Sequence, residues 1–173
     1  MEQVILVDVN DDEVGTMEKM EAHEKARLHR AFSVFIFNEQ GEMLLQQRAL
    51  SKYHSGGLWT NACCSHPRPG ETTFDAANRR LQEELGFSTS LTKAFDFTYN
   101  APFDNGLTEH EFDHVFVGTY SGLMHLNFAE VENVSYRSIH HIANALATHP
   151  TQYTVWFHLA FPKMLSWLQT GAL

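Results

Sequence analysis

Cys64 and His66 lie two residues apart just before Pro67, in a stretch from Thr60 to Gly86 that closes on the paired acids Glu83 and Glu84. The residue before a proline favours extended backbone, and residues two apart in an extended segment project to the same side. The spacing therefore predicts a thiol and an imidazole sharing one cleft, with Cys63 and Ser65 turned away. Eleven histidines are many for this length, and His23, His29 and His66 fall in loops or near the start of expected strands rather than in mid-helix. Taken singly, each is an ordinary polar or capping residue. Glu109 and Glu111 change their meaning, because two carboxylates two apart on a strand face the same way and repel unless a cation or a shared proton relieves them, while His110 faces the opposite side. Three imidazoles with two carboxylates suit a borderline or hard divalent ion such as Zn, Mn or Mg, geometry choosing among them. The plain alternative is a solvated strand face.

A second signal sits on the segment after Pro67. Glu71 precedes an expected helix whose second half carries Arg79, Arg80, Glu83 and Glu84, with Arg80 and Glu84 four apart on one face. These could be surface ion pairs. They could also grip a phosphate, Glu84 helping to hold a magnesium bridged to phosphate oxygens and nearby lysines and arginines (Lys19, Arg48, Lys52, Arg79, Arg80) binding the remaining negative charge.

Strands are expected at residues 4–9, 31–37 and 42–48, the last two flanking Asn38-Glu39-Gln40-Gly41 as a hairpin. From Thr72 to Leu85 there is no Gly or Pro, and Gly86 stands where a helix would be capped, so this is the firmest helix. Residues 93–100 and 109–120 are expected strands joined through Asp104-Asn105-Gly106. Helices are expected at 138–147 and 153–169 around Pro150, the second with Trp156, Leu159, Ala160 and Leu168 on its apolar stripe.

The chain has 173 residues, a length that fits one domain spanning 1–173 and buries enough core to fold without disulfides. Its two cysteines are adjacent, a spacing that closes into a disulfide only with strain, so free thiols and a cytoplasmic setting are expected. No segment approaches the roughly 20 apolar residues of a membrane span, and the start lacks the pattern of a signal peptide. A formal net charge of −9 argues against a nucleic-acid surface, though a local basic pocket can still take a small anion.

The segment from Gly70 to Gly86 resembles the Nudix box, G-x5-E-x7-R-E-U-x-E-E-x-G-U, with Glu71, Arg79, Leu81, Glu83, Glu84, Gly86 and Phe87 in register. It departs where Ser65 replaces the first Gly and Arg80 replaces a metal-binding Glu, which turns a cleavage motif toward holding phosphate. Over a wider span, from about Lys19 to Trp156, RLHRAFSVFIFNEQGEMLLQQRALSK, LWTNACCSHPRPGE, RRLQEELG, FTYNAP and EHE resemble the type I isopentenyl-diphosphate isomerases in order and spacing.

That resemblance implies an α/β (α+β) Nudix fold, a mixed β-sheet flanked by helices. It implies one divalent metal on His23, His29, His66, Glu109 and Glu111, and a magnesium bound with the substrate diphosphate near Glu84. Cys64 and Glu111 take the acid/base positions, with Tyr99 beside Glu111, Trp156 as a π face for a carbocation, and Cys63 as a packed neighbour. Lys19, Arg48, Lys52 and Arg80 fall at the diphosphate contacts. The implied partner is a small-molecule diphosphate, with neither nucleic acid nor membrane, and a monomer or weak dimer is expected. Two rivals are a Nudix hydrolase of a nucleoside or other diphosphate and a non-catalytic, metal-stabilised binding module.

Overall fold

The computed structural model describes residues 1–171, so the expected single domain of 1–173 reaches two residues beyond the described chain. A mixed sheet forms its middle layer. β1 (Gln3–Val7) and β2 (Glu13–Glu18) pair antiparallel, and α1 (Lys19–Glu24) follows β2 directly. β3 (His29–Phe37) runs parallel to β8 (Thr108–Thr119), which pairs antiparallel with β7 (Leu91–Pro102). β4 (Met43–Arg48) carries β5 (Trp59–Thr60) and β9 (Val131–Arg137), and β6 (Cys63–Ser65) lies antiparallel on β3. α2 (Thr73–Leu85), α3 (Ile139–Thr148) and α4 (Val155–Leu168) supply the flanking layers, a 3-10 turn at Pro150–Gln152 joining the last two.

Alternation along β3 assigns the two faces. Phe32, Val34 and Ile36 pack with Ala76, Ala77, Leu81 and Leu85 of α2. Phe35 and Phe37 face the other way, onto Phe157, Ala160, Phe161 and Met164 of α4. Each face is thus a separate apolar core, and removing these side chains from water is the main stabilising term for both layers.

The expected strands, the β7–β8 turn and the firmest helix all form, with Thr72 as the N-cap that accepts from the Asp75 amide. β1 stops at Val7 instead of residue 9, because the Asp8 carboxylate accepts from the amides of Asn10 and Asp12 and folds the chain into a turn. The apolar stripe of α4 is also corrected. Trp156 and Ala160 lie on it, but Leu159 is exposed and Leu168 only half-buried, and Phe157, Phe161 and Met164 complete the buried face. β2, β5, β6 and β9 were not foreseen. They are short or largely exposed and owe their form to pairing with β1, β3 and β4 rather than to their own pattern.

Gly86 ends α2 in the left-handed region at φ 74°, where an added Cβ would come 2.7 Å from the Cβ of His125 and 2.8 Å from its carbonyl oxygen. Gly86→Ala is expected to cost about 2–3 kcal/mol, combining strain at positive φ with overpacking. A urea midpoint unchanged from that of the parent protein would contradict this account.

Candidate active site and metal centre

Register brings the chemistry onto one face of the sheet. His29 pairs with Glu111 across β3 and β8, Ser33 pairs with Cys64 across β3 and β6, and Tyr99 pairs with Glu111 across β7 and β8. Cys64 and His66 both line the cleft, as their spacing predicts, and Cys63 is fully buried in the opposite core with α2; Ser65, expected to turn away like Cys63, also lines the cleft.

His23 arrives differently from expectation. It lies inside α1, a six-residue helix started by the Glu18 carboxylate accepting from the Glu21 amide at 2.9 Å. The sequence gives that helix too little length for a periodic signal, so it was expected as a loop or strand start.

One ligand atom from each of His23, His29, His66, Glu109 and Glu111 lies within 4.8 Å of every other, and all five residues are buried. The imidazoles are oriented for coordination. His23 Nδ1 sits 2.7 Å from the Lys19 carbonyl and His29 Nδ1 2.8 Å from the Arg27 carbonyl, contacts in which Nδ1 carries the hydrogen and Nε2 presents its lone pair to the cluster. His66 Nε2 stands 2.8 Å from Glu111 Oε1 and 3.2 Å from His29 Nε2. His23 Nε2 and Glu109 Oε2, 3.3 Å apart, are buried with no hydrogen-bond partner among the described residues. Convergent lone pairs and buried ligand atoms left without hydrogen-bond partners fit a divalent cation.

The electrostatics express the same demand. Burial and then the Glu109 charge push Glu111 upward; burial pushes Glu109 upward too, but the close His23 and His54 imidazoles outweigh it and hold that carboxyl well below the usual carboxylate range. Burial, followed by the neighbouring His29 and Lys19, pushes His66 well below the ordinary histidine value, leaving it neutral as a ligand must be. The part of the Glu111 shift that comes from the Glu109 charge is the repulsion expected between carboxylates two apart on a strand.

Beside the cluster, burial and the nearby Asp113 push the Cys64 thiol up to about 12, so it holds its proton at neutral pH. Its Sγ donates to Asn61 Oδ1 at 3.1 Å and approaches Ser33 Oγ at 3.5 Å. The Asn61 amide is locked, its nitrogen donating to the carbonyls of Val34 and Cys63 and its oxygen also accepting from Thr60. This is the physical content of the T-N-x-x-C spacing: a wholly buried amide aims one acceptor at the thiol. Across the cleft lining, Tyr99 donates to Glu111 Oε2 at 2.7 Å, and Trp156 is buried against Tyr99 and Ala101 with Cys64 at the edge.

Lys19, Arg48, Lys52 and Arg80 line the same cleft as Cys64, Tyr99, Glu109, Glu111 and Trp156. Arg48 is nearly buried, its guanidinium 5.2 Å from the Trp156 ring centroid. Lys52 pairs with Glu130, and Arg80 pairs with Glu84 at 2.6 Å and with Glu130 at 3.3 Å. Glu84, expected beside the magnesium of the diphosphate and not in the five-residue group, has a carboxylate that accepts from Arg80 and from Gln46 at 2.9 Å. Sequence reading also missed His54, which is buried with Nε2 2.9 Å from Glu109 Oε1. Its only advance signal is its place two residues after Lys52 in a segment closed by Gly56-Gly57.

A mixed sheet between helical layers, with Arg80 in the second half of α2 lining the cleft, defines a Nudix-fold protein carrying a candidate metal centre. Residues 27–158 match the NUDIX domain family. The chain is 50% identical over 167 residues to the isopentenyl-diphosphate Delta-isomerase of Pectobacterium atrosepticum, covering 96% of this chain and 93% of that one. It is 50% identical over 157 residues to the enzyme of the same name from Burkholderia multivorans, covering 91% and 89%. Among solved structures, the MutT protein of Methanosarcina mazei superposes with a TM-score of 0.67 at 20% identity, covering 84% of this chain and 96% of that one, a likeness of fold. The chain belongs to the Nudix superfamily and, within it, to the isopentenyl-diphosphate Delta-isomerase family.

Proposed function

We propose that the chain interconverts isopentenyl diphosphate and dimethylallyl diphosphate. One divalent cation would be held by His23, His29, His66, Glu109 and Glu111, and a magnesium would enter with the diphosphate. The observation that carries this reading is the shared cleft: a protonated thiol, a buried carboxylate with a tyrosine hydroxyl, an indole and four basic side chains line one cavity.

Moving the double bond adds a proton at the terminal alkene carbon, places positive charge on the tertiary carbon, and removes a proton from the carbon on its other side. No redox partner is needed. Cys64 and Glu111 serve as the acid/base pair, and because the reaction runs both ways each donates in one direction and accepts in the other. Tyr99 holds the Glu111 carboxylate in place. Trp156 faces the cation with an electron-rich ring that cannot trap it, and its burial helps keep water out. The bound cation supplies a positive charge that fixes and tunes the Glu111 carboxylate. Lys19, Arg48, Lys52 and Arg80 clamp the diphosphate, so binding energy from this remote group positions the alkene.

A hydrolase reading is less well supported, because the helix carboxylates that would gather magnesium are already paired: Glu71 and Glu83 with Arg79, and Glu84 with Arg80. Incubation with isopentenyl diphosphate and magnesium in deuterated water is expected to place deuterium in dimethylallyl diphosphate without phosphate release. Phosphate release without deuterated product would instead establish hydrolysis.

The proposed partner is a small-molecule diphosphate, and the net charge of −9 weighs against nucleic acid. Among the described residues, no helix is long and apolar enough to cross a membrane. The cytoplasm is proposed as the compartment, supported by Cys63 and Cys64 both being free thiols, and a monomer or weak dimer as the state.

A further inference from the structure

We infer that His54 is a positioning residue for the metal centre: from a loop that also carries the diphosphate contact Lys52, its Nε2–H steadies the Glu109 carboxylate. This inference rests on the metal reading given above. His54 is buried, and its Nε2, which has no other polar partner among the described residues, stands 2.9 Å from Glu109 Oε1, within reach of a hydrogen bond once the ring and carboxylate align. On the other side of the ring, Nδ1 lies 3.3 Å from Ser55 Oγ. A hydroxyl donating to Nδ1 leaves the ring hydrogen on Nε2, the atom that meets the carboxylate. Outer hydrogen bonds of this kind fix the orientation of a ligating group and commonly govern metal affinity.

The loop is built to deliver this ring. The His54 ring stacks on Phe103 at 4.8 Å and 17°, and it meets Trp156 edge-on at 5.9 Å and 90°. Arg48 Nη2 donates to the His54 carbonyl at 3.4 Å, and Asn105 donates to the Tyr53 carbonyl at 3.2 Å, tying the loop to β4 and to the β7–β8 turn. Ser55 sits at positive φ, 52°, and an added Cβ at Gly56 would come 2.7 Å from the Leu50 carbonyl oxygen. Backbone held this closely has little freedom to swing the imidazole away. The indole and the ligand carboxylate therefore meet through one imidazole, whose own backbone carbonyl accepts from the arginine.

His54→Phe keeps an aromatic ring for Phe103 and removes the nitrogen, whereas His54→Gln restores an amide N–H near the Nε2 position. The test is chelator competition with Mn(II) or Zn(II) on the purified proteins, together with melting of the metal-free forms and steady-state kinetics. His54→Phe is expected to bind the metal about 10- to 100-fold more weakly. Its metal-free melting temperature should stay at that of the parent, and the KM for isopentenyl diphosphate at saturating metal should be unchanged. His54→Gln should recover most of the affinity. Parent-like metal affinity in His54→Phe would overturn the inference, as would equal weakening in both variants with a lowered melting temperature, which would mark the residue as packing only. Failure of the parent protein itself to bind metal would instead remove the reading beneath it.

Discussion

Cys64→Ala is expected to abolish isomerisation, by roughly a thousandfold or more, while the protein remains folded. A positioned proton donor is worth about 10²–10⁴ in rate, and an unactivated alkene in a cavity screened from water has few other sources of a proton. The structural cost of the change is small. Losing Sγ removes a donor to Asn61, but Asn61 Oδ1 still accepts from Thr60 at 2.9 Å, and its amide nitrogen keeps both carbonyl partners. No buried acceptor is therefore stranded, and the free energy of unfolding should fall by less than about 1 kcal/mol. Cys63 provides the control. It is as close in sequence as a residue can be, yet it is fully buried in the other core, beneath α2. Cys63→Ala should lower stability by about 1–2 kcal/mol through the cavity it leaves and keep its turnover. Assay of both variants by product NMR, with thermal melts alongside, separates chemistry from packing. Near-parental turnover in Cys64→Ala would sink the acid/base assignment.

The same pair of residues explains how far the sequence could be read. Period-two alternation is strict geometry, so Cys64 against Cys63, and Glu109 and Glu111 against His110, could be sorted to faces before any fold was known. Long elements with clear caps, such as α2 between Thr72 and Gly86, were equally legible. What escaped was set by partners distant in the chain. β2 and β9 are largely exposed and have no buried alternation of their own, so only β1 and β4 make them strands. His23 needed α1, a helix too short to announce itself, and His54 needed the β7–β8 turn to press Phe103 against it. The spacing of Arg80 and Glu84 predicts their ion pair, but it gives no sign that Gln46 of β4 reaches across to the other Glu84 oxygen. Spacing told which residues could meet; the order in which sheet and helices bring third residues between them was not encoded locally.

Glu111→Gln is expected to lose both metal and turnover, and comparison with Glu109→Gln separates those two losses. Each substitution removes one negative charge from a buried group in which three imidazole nitrogens offer only neutral lone pairs, so each should weaken the cation by at least about 10- to 100-fold. They differ in what else they remove. Glu109 meets His23 at 3.3 Å and His54 at 2.9 Å. Glu111 accepts from Tyr99 at 2.7 Å and lies 2.8 Å from His66, so it is both ligand and proton-transfer group. An amide there cannot take up a proton at neutral pH, and metal added in excess cannot restore one. Raising the Mn(II) concentration should therefore recover a large part of turnover in Glu109→Gln, while Glu111→Gln stays at least a thousandfold below the parent even when metal analysis finds its site filled. Unchanged metal stoichiometry and affinity in both variants would remove these carboxylates from the metal centre. Full rescue of Glu111→Gln by metal alone would leave it a ligand and hand its proton to another group.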